Sequence, residues 1–236
     1  KSRIVLDAMR AAGCGEAYVP LDVSASFLDQ TAGSLRTEYP GLAIEPLVGD
    51  ITEPLVLPEA LPHPRWIALL GSTIGNFDEV EAEALLSRMA ERLDDGDRFL
   101  LGVDLRPGRK KSVERVEAAY NDEKGVTARF SLNILSVLND RFGSDFDLEG
   151  FEHRSSYNPA NGRIETNLIS RRDQWVRFPG EVAIPVAEGE AIRTEISSKY
   201  DRATIDRLYR SAGLVVDRWM EDDDGLYALV LGGPGG

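Results

Sequence analysis

Apolar positions follow two rhythms along this chain. Through the first hundred residues, short and nearly continuous apolar runs alternate with amphipathic stretches. The runs EAYVPLDV (16–23), LAIEPLVGDI (42–51), RWIALLGS (65–72) and DRFLLGVDL (97–105) predict four strands. Between them, SASFLDQTAGSLRTEYPG predicts a helix capped by Ser24 and ended near Pro40 and Gly41. DEVEAEALLSRMAERLDDG predicts another, opened by Asp78 and Glu81 at capping-box spacing and closed near Gly96. A proline-rich connection runs through Pro64. Strands apolar throughout, alternating with helices, predict a parallel sheet built from right-handed crossovers.

After Leu105 the rhythm changes. Residues 111–141 predict two helices around YNDEKGVTARF. FEHRSSYN, RIETNLISRR, QWVRF and AIRTEISSKY then follow at hairpin spacing, with NPANG as a turn. The first rhythm returns with the helix RATIDRLYRSAG and the strands LVVDRWMED and LYALVLGG, and GGPGG reads as a flexible tail. The expected fold class is therefore α/β, an open sheet carrying an α+β insertion, with core segments 1–108 and 199–232 around an insertion at 109–198. The chain begins without Met, inside the helix pattern of KSRIVLDAMRAAG and with no strand before it, so an N-terminally incomplete chain is expected.

Charge and composition narrow the partners. The formal net charge of −13 repels phosphate backbones and anionic lipid, which argues against nucleic acid and membrane partners. The one basic cluster, RPGRKK at 106–111, lacks interleaved aromatics and reads as a solvated loop. A single cysteine, Cys14, excludes an intrachain disulfide and fits a reducing, cytoplasmic compartment. One cysteine and two separated histidines, His63 and His153, are too few for a transition-metal cluster. A soluble monomer acting on a small molecule is expected.

Ligands of an open parallel sheet sit beyond the carboxyl ends of its strands. Those ends carry Asp22, Asp50, the loop GSTIGN (71–76) and Asp104. One aspartate there suits the two hydroxyls of a ribose, and the next suits the exocyclic amine of an adenine. The pair in register favours a nucleoside pocket, although each aspartate alone reads equally well as a turn or cap. No G-x-G-x-x-G is present. Spacing alone leaves an NAD enzyme and a methyl-donor enzyme both open.

YVPLDVSASFL, LVGDI, LLGSTIGNF, LLGVDL, AAYNDEKGVTARF, DFDLEGFEHRSSYN and AIRTEISSKY stand in one order along residues 1–230. In that order the chain resembles the histidine N-alpha-methyltransferases of ergothioneine biosynthesis. GSTIGN and TEISSKY are the most specific pieces. The resemblance implies a Rossmann-like class I methyltransferase sheet, S-adenosylmethionine as methyl donor, and an amino-acid substrate read by the insertion. It assigns Asp22 to the ribose, Asp50 and Ile51 to the adenine, and Lys1 to the carboxylate end of the donor. It assigns Asn76 and Tyr120 to the substrate's α-amine, as the groups nearest the chemistry. Glu195 and Ser197 would address the imidazole ring, and Phe130 would line the pocket.

Residue by residue, plainer readings stand beside these. Asn76 after Gly75 suits a helix entry, Tyr120 an amphipathic core position, and Glu195 a surface pair with Arg193 or Lys199. The chain also departs from the family's usual pattern at Ser131, Thr166 and Asn167. The smaller Thr166 and Asn167 would widen the ring pocket and admit another amino acid or an aromatic amine. A protein that binds a nucleoside without catalysis is the rival from another class.

Overall fold

The computed structural model describes residues 1–58 and 61–235, so the connection between the second and third predicted strands is seen except at positions 59 and 60. Helix α1 (Ser2–Ala11) leads to β1 (Ala17–Tyr18) and β2 (Leu21–Asp22), then α2 (Ala25–Glu38), β3 (Ala43–Ile44) and β4 (Leu47–Val48). β1 pairs with β3 and β2 with β4, both in parallel. Each predicted strand is thus split in two, and the reason is covalent. Pro20 and Pro46 lack an N–H and break the ladder, while Leu47 still donates to the Pro20 carbonyl at 2.9 Å. Ser24 caps α2 as its sequence predicts, accepting from the Phe27 amide.

β5 (Trp66–Leu69), α3 (Glu79–Ala90), β6 (Arg98–Asp104), α6 (Arg202–Ser211), β12 (Leu214–Glu221) and β13 (Tyr227–Pro234) form the main body, in sheet order β12-β13-β6-β5. Only β5 and β6 run in parallel; β13 is antiparallel to both β6 and β12, so this sheet is mixed. Among the described residues no ladder joins it to the β1–β4 pairs. α3 opens with the predicted capping box between Asp78 and Glu81. The α3 and α6 faces bury Leu85, Leu86, Ile205, Leu208 and Tyr209 against Phe99, Leu101 and Val230 of the sheet. Burying each large side chain contributes about 2 kcal/mol.

GGPGG is not a free tail where it is described. Gly232 pairs with Phe99 and Val216 inside the sheet. A Cβ there would lie 2.3 Å from the Val215 carbonyl oxygen, so only glycine permits this approach.

α4 (Val113–Tyr120) and α5 (Val126–Phe142) cover a second sheet of order β11-β8-β7, made from β7 (Phe151–Asn158), β8 (Arg163–Ser170) and β11 (Ala191–Ser198). β9 (Gln174–Phe178) pairs with β10 (Val182–Val186), a strand that the pattern does not predict. Pro185 disguises it, and β10 tolerates the proline because, among the described residues, β9 is its only partner. Leu135, Phe151, Leu168 and Val176 form the core of this unit. No helix among the described residues is long and apolar enough to cross a membrane.

Candidate active site

The loop at 71–77 is built by its own small side chains. Ser72 adopts the left-handed conformation, and its hydroxyl accepts from the Asp104 amide at 3.0 Å. Thr73 donates to the Leu70 carbonyl at 3.2 Å. Both residues therefore shape the turn. Asn76, at the end of a short 3-10 turn (Thr73–Asn76), is exposed and makes no side-chain hydrogen bond among the described residues. The loop packs on the end of β11. Ser198 donates to the Phe77 carbonyl at 3.0 Å, and the buried Tyr200 hydroxyl donates to the Ile74 carbonyl at 3.0 Å. GSTIGN and TEISSKY, far apart in the chain, are thus in contact.

Tyr120 ends α4 and is held from two sides. His153 Nε2 lies 2.8 Å from its carbonyl oxygen, so that nitrogen donates and carries the proton. The next residue, Asn121, exchanges two hydrogen bonds with the Ser155 backbone, at 2.8 and 3.0 Å. Asp122 then opens α5 by accepting from the Thr127 and Val126 amides, which holds its carboxyl down at about 2. With its backbone fixed, Tyr120 places its hydroxyl 2.8 Å from Ser197 Oγ.

Glu195 and Ser197 are two apart on β11 and share a face. A register shift between Arg193 and Glu195 brings Glu195 opposite Thr166 on β8. Such irregularities re-aim a side chain. Glu195 is half-buried, and it has no ion pair with Arg193 or Lys199. Thr166 is fully buried, with its hydroxyl 2.7 Å from Ser155 Oγ. Ser131 is also buried, and its hydroxyl has no partner among the described residues. Asn167 is half-buried, next to Thr166 on β8. Phe130, on α5, is 67% exposed.

Beneath Tyr120 and Ser197 runs a charged network that the sequence pattern does not reveal. Lys199, 1% exposed, reaches Asp104 Oδ2 at 2.6 Å, Tyr120 Oη at 2.7 Å and Ser197 Oγ at 2.9 Å. Its ammonium also lies 4.7 Å from the centre of the Tyr120 ring. The second Asp104 oxygen accepts from Lys111, which also donates to the carbonyls of Leu105 at 2.8 Å and Leu226 at 3.2 Å. Burial holds the Lys111 ammonium below the usual lysine range, and its bond to Asp104 opposes that shift. Lys111 corrects the reading of RPGRKK as a wholly solvated loop, because its charge is spent inside the protein.

At the other strand ends, Asp22 closes β2 in register with Val48, and Asp50 lies two residues past the end of the parallel β4. One oxygen of each is used locally. Asp22 accepts from the Ser24 amide at 2.9 Å, and Asp50 accepts from the Thr52 amide at 2.8 Å and its hydroxyl at 2.7 Å. The Thr52 hydroxyl and amide draw the Asp50 carboxyl below its usual value. The other oxygen of each has no partner among the described residues, which suits the ribose and adenine of a nucleoside. Ile51 is half-buried and packs on the main core. The Lys1 ammonium lies 2.6 Å from where a Cβ on Gly71 would stand, beside the loop that carries Asn76.

One further cluster and the lone cysteine are accounted for. His63, Asp94 and Asp97 bring potential ligand atoms within 4.8 Å of one another, a grouping not expected from separated histidines. Arg65 occupies it, at 2.7 Å from Asp94 and 3.0 Å from Asp97, so the acidic charge is already met. Cys14 is exposed in a turn, with its thiol on the Met9 carbonyl at 3.4 Å.

Known proteins resemble this sequence over nearly its whole length. The profile of the family described as histidine-specific methyltransferase, SAM-dependent, matches residues 1–233. The histidine N-alpha-methyltransferase of Mycolicibacterium smegmatis is 38% identical over 234 residues, covering 98% of this chain and 71% of the relative. That of Mycobacterium tuberculosis is 36% identical over the same share of each. Among solved structures, the CcbJ methyltransferase of Streptomyces caelestis shares the fold, with a TM-score of 0.51 at 13% identity over 92% of this chain and 74% of that one. Its fold is that of a class I S-adenosylmethionine-dependent methyltransferase, and the chain belongs to the histidine-specific, S-adenosylmethionine-dependent methyltransferase family.

Proposed function

We propose that this protein transfers methyl groups from S-adenosylmethionine to the α-amine of L-histidine, giving the trimethylated betaine used in ergothioneine biosynthesis. The single free cysteine fits a reducing compartment and supports a cytoplasmic setting. The observation that carries the reading is the junction of Tyr120, Ser197 and Glu195 with the loop bearing Asn76, in a chain of this family.

The donor supplies a methyl group on a positively charged sulfur. Displacement of that sulfur is in line, so the protein's task is largely alignment. Asn76 and Tyr120 accept hydrogens of the neutral amine and leave its lone pair facing the methyl group. Glu195 and Ser197 engage the two ring nitrogens, and the exposed Phe130 ring forms a wall of the pocket. Asp22 holds the ribose hydroxyls, Asp50 and Ile51 hold the adenine, and Lys1 meets the donor carboxylate. The bounds 1–108, 109–198 and 199–232 separate the part that holds the donor and carries Asn76 from an insertion that supplies the other substrate-reading residues.

Incubation with S-adenosylmethionine and a panel of free amino acids, followed by mass spectrometry, tests the reading. Trimethylhistidine is the expected product. Methylation of tryptophan or another amino acid in preference to histidine would reject the substrate, and no methylation of any of them would reject the activity.

A further inference from the structure

Lys199 meets three acceptors at once: Asp104 Oδ2, Tyr120 Oη and Ser197 Oγ. An ammonium has three protons and no lone pair, so its capacity is fully used. Tyr120 and Ser197 are also bonded to each other. Each hydroxyl owns one hydrogen and two lone pairs. Each takes one proton from Lys199, and one of their two hydrogens bridges them, so a single hydrogen is left over. The phenol is the stronger acid and the alkyl hydroxyl the better acceptor, so Tyr120 donates to Ser197. Ser197 then has both lone pairs filled and its hydrogen free. Tyr120 has its hydrogen committed and one lone pair free.

We propose that Lys199, held by Asp104, is a positioning residue that sets the hydrogen-bond polarity of the site, presenting Ser197 to a ligand as a donor and Tyr120 as an acceptor. This rests on the histidine reading above and deepens it. A free lone pair on Tyr120 is what a neutral amine's hydrogen requires. On the β11 face, Ser197 offers a hydrogen while the Glu195 carboxylate can only accept. A donor beside an acceptor fits a ring with one N–H and one bare nitrogen, which is neutral imidazole. A ring with only an N–H, such as pyrrole or indole, would leave the Ser197 hydrogen facing carbon. A buried polar group left unpaired in this way costs affinity.

The test is calorimetric binding of L-histidine and of both pyrrolylalanine isomers, in which one ring nitrogen is C–H. It uses the full-length protein with S-adenosylhomocysteine at pH 8, where imidazole is neutral. The wild-type protein should favour histidine by about tenfold or more. In Lys199→Met both hydroxyls turn freely, and the preference should shrink to about threefold or less with S-adenosylhomocysteine affinity unchanged. Loss of packing alone would weaken all three amino acids together; a preserved ratio therefore overturns the proposal. Should that variant fail to fold, Ser197→Ala keeps Lys199 on Asp104 and Tyr120 and must also collapse the ratio, and a ratio kept there overturns the proposal as well. A wild-type protein that binds no histidine refutes the histidine reading itself and takes the proposal with it.

Discussion

Thr166 stands directly across from Glu195 on the neighbouring strand, fully buried and bonded through its hydroxyl to Ser155. Smaller side chains at 166 and 167 suggest a widened pocket, but the threonine hydroxyl is already part of a packed polar pair behind the carboxylate. Thr166→Val keeps the shape and removes the bond. It should lower stability by about 1 kcal/mol, seen as an earlier urea midpoint, while leaving the histidine KM within about threefold. A much larger rise in KM would mean that the hydroxyl reads the substrate itself.

Among the described residues, Glu195 has no basic side chain in ion-pair contact. Its carboxylate is available to a ligand. Glu195→Gln should raise the histidine KM by about tenfold or more, the usual effect of losing a charged acceptor. Affinity for S-adenosylhomocysteine should not move. Equal loss of both affinities would place Glu195 in the scaffold.

The free oxygens of Asp22 and Asp50 predict the opposite pattern. Asp22→Ala should weaken S-adenosylhomocysteine by about tenfold or more in calorimetry. The Ser24 cap on α2 survives, because Ser24 accepts from Phe27 with its own hydroxyl. An unchanged donor affinity would show that Asp22 serves only its turn.

Asp97 links pH to stability. Burial pushes its carboxyl up, but the Arg65 and Asp94 amides, the Arg65 guanidinium and His63 outweigh burial and leave it below its ordinary value. A depressed carboxylate contributes stability that is present above its ordinary value, 3.8, and is lost as pH falls below that point. Asp97→Asn should cost about 3 kcal/mol at pH 7, because Arg65 then keeps only the exposed Asp94 carboxylate and loses its buried partner. The gap between variant and wild type should narrow as urea melts are taken from pH 5 toward pH 3. A constant gap would assign the cost to shape alone.

Tyr227 crosses above Gly102 so closely that a Cβ there would lie 2.0 Å from its hydroxyl, which accepts the Gly71 amide at 2.9 Å. Gly102→Ala should displace Tyr227, destabilise the protein by about 2 kcal/mol and loosen the loop that carries Asn76. Tyr227→Phe, which loses only the bond, should cost about 1 kcal/mol. Comparable melts for the two variants would show that the hydroxyl matters and the crowding does not.

What the sequence made legible was local. The Ser24 cap and the Asp78–Glu81 box are decided within four residues, and both are present. The strand β8 was readable because one of its faces is buried along its whole length. Non-local features escaped. Lys111 and Lys199 look like surface charge until β6 delivers Asp104 between them, and their partners are set by tertiary packing. β10 was hidden by a proline that an edge strand accommodates. Gly232, read as slack chain, is a glycine because Val215 and Tyr209 leave no room for a side chain. For the candidate site, the strand-end aspartates and the two motifs were visible, whereas the ammonium beneath them required the fold.

The two chain passages that enter and leave the β7–β8–β11 unit run side by side. Leu105 bridges Tyr200, the Arg106 amide donates to the Tyr200 carbonyl at 2.9 Å, and the Arg106 guanidinium reaches the Lys199 carbonyl at 3.1 Å. The chain between them is joined to the rest through one double seam and braced by the Ser198 bond to Phe77. A foreign module grafted at that seam would need only two neighbouring ends to join, so new specificities are within reach of exchange as well as of point mutation.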